Sequence, residues 1–161
     1  MERYEAQSII KYYANIPEMM KFERKLIKKI EAEHYDILRG VNMDGMPHGS
    51  STGDPTSKAG IKAADNNISD RIGTAKVRLS ILEKDRATIE KAISYLNYSY
   101  KDILLRKGNN HTWGSIALEM ELPESTARHI YNKAIIKIGD ILAKEDPNIS
   151  DMIERAHRAT K

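Results

Sequence analysis

Apolar positions recur at three- and four-residue spacing through most of the chain, with polar positions between them. That period belongs to helices that bury one face. "RYEAQSIIKYY" is apolar enough for a short helix near the N-terminus. "NIP" is expected to break it, because Pro17 disfavours helical backbone at Ile16. The helix restarts at Glu18, with Met19, Phe22, Leu26, Ile30 and Ile37 on one side. Lys25, Lys28, Lys29, Glu31 and Glu33 mostly cover the other side. Residues 1–39 are read as N-terminal helices.

A second seam runs through residues 61–96: Ile61, Ile68, Ile72, Ala75, Leu79, Leu82, Ile89, Ile93 and Leu96. Only Asp65 and Arg86 interrupt it. This is a heptad pattern, and a single helix over it is about 50 Å long at ~1.5 Å per residue. Such a helix needs a partner along its length, either residues 18–38 or a second subunit. Asp85 is a plausible N-cap, so a break near residues 83–86 stands equal with one continuous helix. The tail, residues 145–161, opens with "DPNIS" and continues as a short helix carrying Arg155 and Arg158 before Lys161.

Between the two seams, residues 40–60 lose all periodicity. "RGVNMDGMPHGSSTGDPTSKAG" is rich in Gly, Ser, Pro and Asp and reads as a linker or long loop. Roughly 20 residues exceeds an ordinary connection. The phosphate-cradling pattern G-x-x-x-x-G-K-[ST] is absent, and His48 has no second His or carboxylate at metal spacing.

The most informative stretch lies in residues 97–144. Thr112 is placed to cap a helix whose inner face holds Trp113, Ile116, Ala117 and Met120. Ala117 is small where a second helix must cross closely. Leu122-Pro123 ends this helix, and the fixed φ of proline suits the first turn of the next. The next helix turns Ala127, Ile130, Tyr131, Ala134, Ile138 and Ile141 inward. Ser125, Thr126, Arg128, His129, Asn132, Lys133 and Lys137 point outward. Two helices joined by so short a turn form a helix-turn-helix, whose second helix reads the major groove with its N-terminal residues. Arg pairs with guanine and Asn with adenine there, and Lys suits phosphate. Glu119, Glu121 and Glu124 oppose this, since carboxylates repel phosphate. Glu124 can instead favour the helix N-terminus.

Composition narrows the classes. The chain has 161 residues, 40% hydrophobic and 30% charged, so it is globular, with one ordinary domain or two small ones. The absence of Cys removes disulfides and thiolate metal sites and fits a reducing cytoplasm. No apolar run is long enough for a membrane helix, and the charged N-terminus has no signal-peptide core. A net charge of +3 permits an anionic partner without demanding one. H-E-x-x-H, a Walker A loop and G-x-S-x-G are all missing, so no enzyme and no cofactor are expected. Asp140, Glu145 and Asp146 read as a solvated helix end.

"TWGSIALEMELPESTARHIYNKAIIKI", residues 112–138, resembles region 4 of bacterial sigma factors. "LNYSYKDILLRKGNNHTW" looks like the helix and turn preceding that motif. Together with "NMDGMPHGSSTGDPTSKA", the chain is similar to phage late transcriptional regulators of the RinA/ArpU type, over roughly residues 40–142. The resemblance implies base and phosphate contacts on the first turns of the recognition helix. By position these fall on Glu124, Ser125, Thr126, Arg128, His129, Asn132 and Lys133. Sigma factors often carry basic residues where Glu124 and Thr126 stand, so their promoter preference does not transfer. Nor is this a whole sigma factor. The promoter-melting region is rich in aromatics, whereas this chain has one Phe and one Trp, and its tyrosines lie at helix-packing positions.

The expected fold is all-α: an N-terminal helical hairpin or coiled-coil-like region joined to a sigma region-4-like helix-turn-helix. The expected function is a sequence-specific, double-stranded DNA-binding regulator. It would be a phage-encoded activator working through host RNA polymerase in the bacterial cytoplasm, with the N-terminal helices supplying homodimerisation or polymerase contact. Two other classes compete: a DNA-packaging protein like the small terminase subunits, and a helical protein-interaction module that binds no DNA.

Overall fold

The computed structural model describes the backbone of residues 1–41 and 55–160, and side chains of residues 1–35 and 66–160. The chain is all-α. Among the described residues the elements are α1 (Arg3–Val41), α2 (Pro55–Ser94), α3 (Tyr98–Gly108), α4 (Trp113–Glu119), α5 (Glu124–Glu145) and α6 (Ile149–Ala159). The helices α1 and α2 reach into the stretch expected as linker from both sides. Its centre, with His48, lies outside the described residues. No described helix is long and apolar enough to cross a membrane.

One expectation about helix continuity is corrected, and one alternative left open is decided. Pro17 does not break the N-terminal segment but sits inside α1. Proline there removes the hydrogen bond to the Tyr13 carbonyl. Pro17 is exposed, so water can take up that carbonyl, while Tyr12, Ile16 and Met20 are buried around it. Burial on both sides outweighs one lost hydrogen bond. At residues 83–86, where a break and a continuous helix stood equal, α2 is unbroken. Asp85 caps no helix there; it is 2% exposed and occupies the buried seam in place of Arg86.

The helices divide into two compact units, residues 20–81 and residues 1–19 with 82–160. In the first, Met20 and Ile30 of α1 and Ile68 and Ala75 of α2 are the buried apolar side chains among the described residues. Glu23 is buried beside Arg78 at 3.3 Å. Leu26 and Ile30 line a groove with Asn67, Asp70, Arg71, Thr74 and Arg78, so this helix pair runs antiparallel. Phe22, expected in the seam, is instead 64% exposed, and Met20 takes the buried position.

In the second unit, the start of α1 and the end of α2 form a floor for α3 to α6. Ile9, Ile10, Ile89, Ile103, Leu104, Ile116, Ile135, Ile138 and Leu142 make its core. At Gly108, a Cβ would lie 3.2 Å from both the Cγ2 and the carbonyl oxygen of Ile10, so α3 meets α1 at backbone distance. The tail helix α6 inserts Met152 and Ala156. It is locked by Arg155, whose Nε and Nη2 both donate to the Asp85 carboxylate at 2.8 Å. Tyr12 donates its hydroxyl to the same carboxylate at 2.9 Å. Three segments far apart in sequence therefore converge on one buried charge.

Candidate nucleic-acid interface

The helices α3, α4 and α5 are positioned by their ends. Asn97 caps α3, its side-chain oxygen accepting from the Tyr100 N–H at 3.0 Å. Thr112 caps α4 as expected, accepting from the Ser115 N–H at 3.2 Å. Both helices stop in the same way. After α3, Asn110 adopts φ 63°, and the N–H groups of Asn110 and His111 return to the carbonyls of Lys107 and Arg106. After α4, Glu121 adopts φ 53°, and the N–H groups of Glu121 and Leu122 return to Leu118 and Ala117. This is the Schellman closure, which needs one left-handed residue past the helix end. Asn tolerates that conformation; Glu has no such allowance.

The turn from Met120 to Pro123 then delivers the chain into α5, whose first residue is Glu124. The inner face of α5 buries Ala127, Tyr131, Ala134, Ile135, Ile138, Gly139 and Leu142. Ile130 and Ile141, expected inward, are only half-buried, and Ile135 and Leu142 carry that share of the core.

The seven candidate contact residues do not behave alike. At about 100° per residue, Ser125, Thr126, His129 and Lys133 fall within an arc of roughly 100°. All four are exposed. They form the centre of the open face at the N-terminal half of α5. Glu124, Arg128 and Asn132 lie on its flank. Asn132 is half-buried, and its side-chain oxygen accepts from the guanidinium of Arg3 in α1. Arg128 donates from Nε to Glu124 at 3.0 Å, with a second contact from Nη2. Its guanidinium also lies 5.1 Å from the centre of the Trp113 ring.

Trp113 turns out to be the hub of this surface. Read from sequence as an inner-face residue, it is only half-buried. Lys107 of α3 lies 4.9 Å from its ring centre, and Tyr131 of α5 meets it edge-on at 5.3 Å. One indole thus joins cations from α3 and α5 to the packing between α4 and α5. Burial raises the Tyr131 hydroxyl above its ordinary pKa, with Arg3 pulling the other way.

The acids are mostly spoken for. Glu119 faces Arg106, accepts from the Ser115 hydroxyl at 2.6 Å, and lies 3.6 Å from His111. Arg106 also holds Asp102 at 2.9 Å. Glu124 is paired with Arg128. The repulsion expected from Glu119 and Glu124 is therefore screened by partners within the chain, and Glu121 sits exposed in the turn. Sequence reasoning missed Lys107 and Ile136. Ile136, 57% exposed on α5, sits on the same outward face as His129 and Lys133. A helical wheel extended one turn beyond Lys133 would have found it.

No protein-family model, curated protein or solved structure matches the chain.

Proposed function

We propose that the chain is a sequence-specific duplex-DNA-binding transcription regulator in which α4, the turn and α5 act as a helix-turn-helix. The observation carrying this reading is the division of labour on α5. Its inner face is committed to the core, while Ser125, Thr126, His129 and Lys133 are exposed together at its N-terminal half. Recognition helices present their N-terminal residues to base edges in this way. The short hydroxyls of Ser125 and Thr126 suit phosphates or bases, His129 lies among them, and Lys133 suits phosphate.

Arg128 is a recruitable reader. Its exposed pair with Glu124 is worth about 0.3–0.5 kcal/mol. Its approach to the indole adds about 0.5–1 kcal/mol. A bidentate guanine contact is worth about 1–3 kcal/mol, which over most of that range exceeds the roughly 1 kcal/mol holding it. The resemblance to sigma region 4 and to phage late regulators supports an activator working with host RNA polymerase, with a second copy of the chain reading a second half-site.

Site selection from random duplexes, with the protein sized by light scattering, tests this. An enriched motif, paired at about one helical turn in a dimer, is expected. Arg128→Ala then weakens specific binding by up to about 2 kcal/mol, the guanine contact less the roughly 1 kcal/mol spent on release from Glu124 and Trp113. A ring-sized oligomer with no enriched motif would replace this reading with DNA packaging. Absence of any DNA binding would leave a protein-interaction role.

A further inference from the structure

Lys21, Arg24, Lys25, Lys28 and Lys29 form a second feature, on α1 within residues 20–81. At about 100° per residue the five fall within an arc of roughly 140°. All five are exposed. From residue 19 to residue 30 the only acid is Glu23, and it is turned inward, 8% exposed and paired with Arg78. Lys29 reaches Glu33 only at 3.9 Å. Glu18 before the stripe and Glu31 and Glu33 beyond it mark its ends, and Lys21 and Arg24 already have partners within the chain, so the stripe offers chiefly Lys25, Lys28 and Lys29. The opposite side of this helix buries Met20 and Ile30.

We infer that this face of α1 binds the phosphate backbone of duplex DNA without reading sequence, an inference that rests on the DNA-binding reading above. A band of cations along one helix face matches a polyanion whose duplex carries a charge every ~1.7 Å along its axis. Two other occupants fit less well. A second copy of the stripe would set like charges against each other across a symmetric interface. An anionic membrane holds interfacial helices through a broad apolar face, and between residues 19 and 30 Phe22 is the single exposed large apolar side chain, Met20 and Ile30 being buried.

The test uses the full chain and a labelled short duplex of random sequence, with binding followed by anisotropy against salt. The variants are K25Q/K28Q/K29Q on α1 and H129A/K133A on α5, each checked by circular dichroism and thermal melting. Each lost phosphate contact flattens the log K against log salt slope by about 0.9 and costs about eightfold at ~0.1 M salt. The α1 variant is therefore expected to lose between about 60- and 500-fold, with the slope shallower by about two to three. Its preference for a selected site over random duplex stays unchanged. If the α1 variant keeps the wild-type slope while H129A/K133A weakens binding, the stripe is overturned and the α5 reading stands. Weakening by the α1 variant alone keeps the stripe and removes the α5 reading. Wild-type binding to phosphatidylserine vesicles and not to duplex, or to neither, overturns both.

Discussion

Replacing Arg155 with Leu probes the buried node that joins α1, α2 and α6. In the native fold the Asp85 side chain is 3% exposed, with two guanidinium hydrogen bonds and one from Tyr12. Leucine removes the two charged donors and leaves the carboxylate facing one phenol. Breaking one side of a buried ion pair costs about 3–5 kcal/mol. The Arg155 side chain is 34% exposed, so water reaches the vacated side and the low end applies, about 3 kcal/mol. The double change Asp85→Leu with Arg155→Leu removes the stranded charge. It should recover about 2 kcal/mol, with the rest held back by the unpaired Tyr12 hydroxyl. Adding Tyr12→Phe should return most of the remainder. Urea unfolding followed by far-UV circular dichroism gives the free energies, and amide exchange in α6 reports whether that helix detaches first. A loss below about 1 kcal/mol for the single variant, or a double variant no better than it, would refute the claim that this charge holds the three helices together.

Other consequences are smaller but as direct. Glu121→Gly relieves a left-handed Glu in the α4 closure and is expected to raise stability by about 1 kcal/mol in thermal melts; an unchanged or lower Tm would sink the strain argument. At high pH, burial foremost and Asp85 next raise the Tyr12 pKa, and burial then Glu90 raise that of Tyr13. Their folded pKa values exceed the unfolded value of about 10, so the stability they contribute is complete below that pH and lost as pH rises above it. Each group removes up to about 1.4 kcal/mol per pH unit in that window, and Tyr12→Phe should make the alkaline limb of a pH–stability curve measurably shallower. Glu124→Gln frees Arg128 and removes a carboxylate from the proposed groove face. Affinity for random duplex should rise about two- to fivefold, in keeping with an exposed pair worth under 1 kcal/mol, and a fall in affinity would contradict the assigned face.

What the chain's pattern determined by itself was the type and period of its elements. The seam from Ile68 to Leu96, the Thr112 cap, the stop before Pro123 and the inward set Ala127, Tyr131, Ala134 and Ile138 all follow from local rules. Those rules depend on residues within one or two turns, so they are legible without a partner. Pro17 was misjudged, and Asp85 left undecided, for the opposite reason. Local preference favours a break at the first and a cap at the second. Burial of neighbours across helices, and an arginine 70 positions downstream, reverse both. The same applies to the candidate interface. Sequence could name Arg128 and Asn132 as outward polar residues on α5. Only packing could show Arg128 held between Glu124 and Trp113, Asn132 drawn to Arg3, and the open centre of the face left to Ser125, Thr126, His129 and Lys133. A helix's period sets which side a residue faces, but its partner in space is chosen by the other helices. That choice is a tertiary one because the energies at stake, from under 1 kcal/mol for an exposed pair to about 3 kcal/mol for a buried one, exist only once those helices have met.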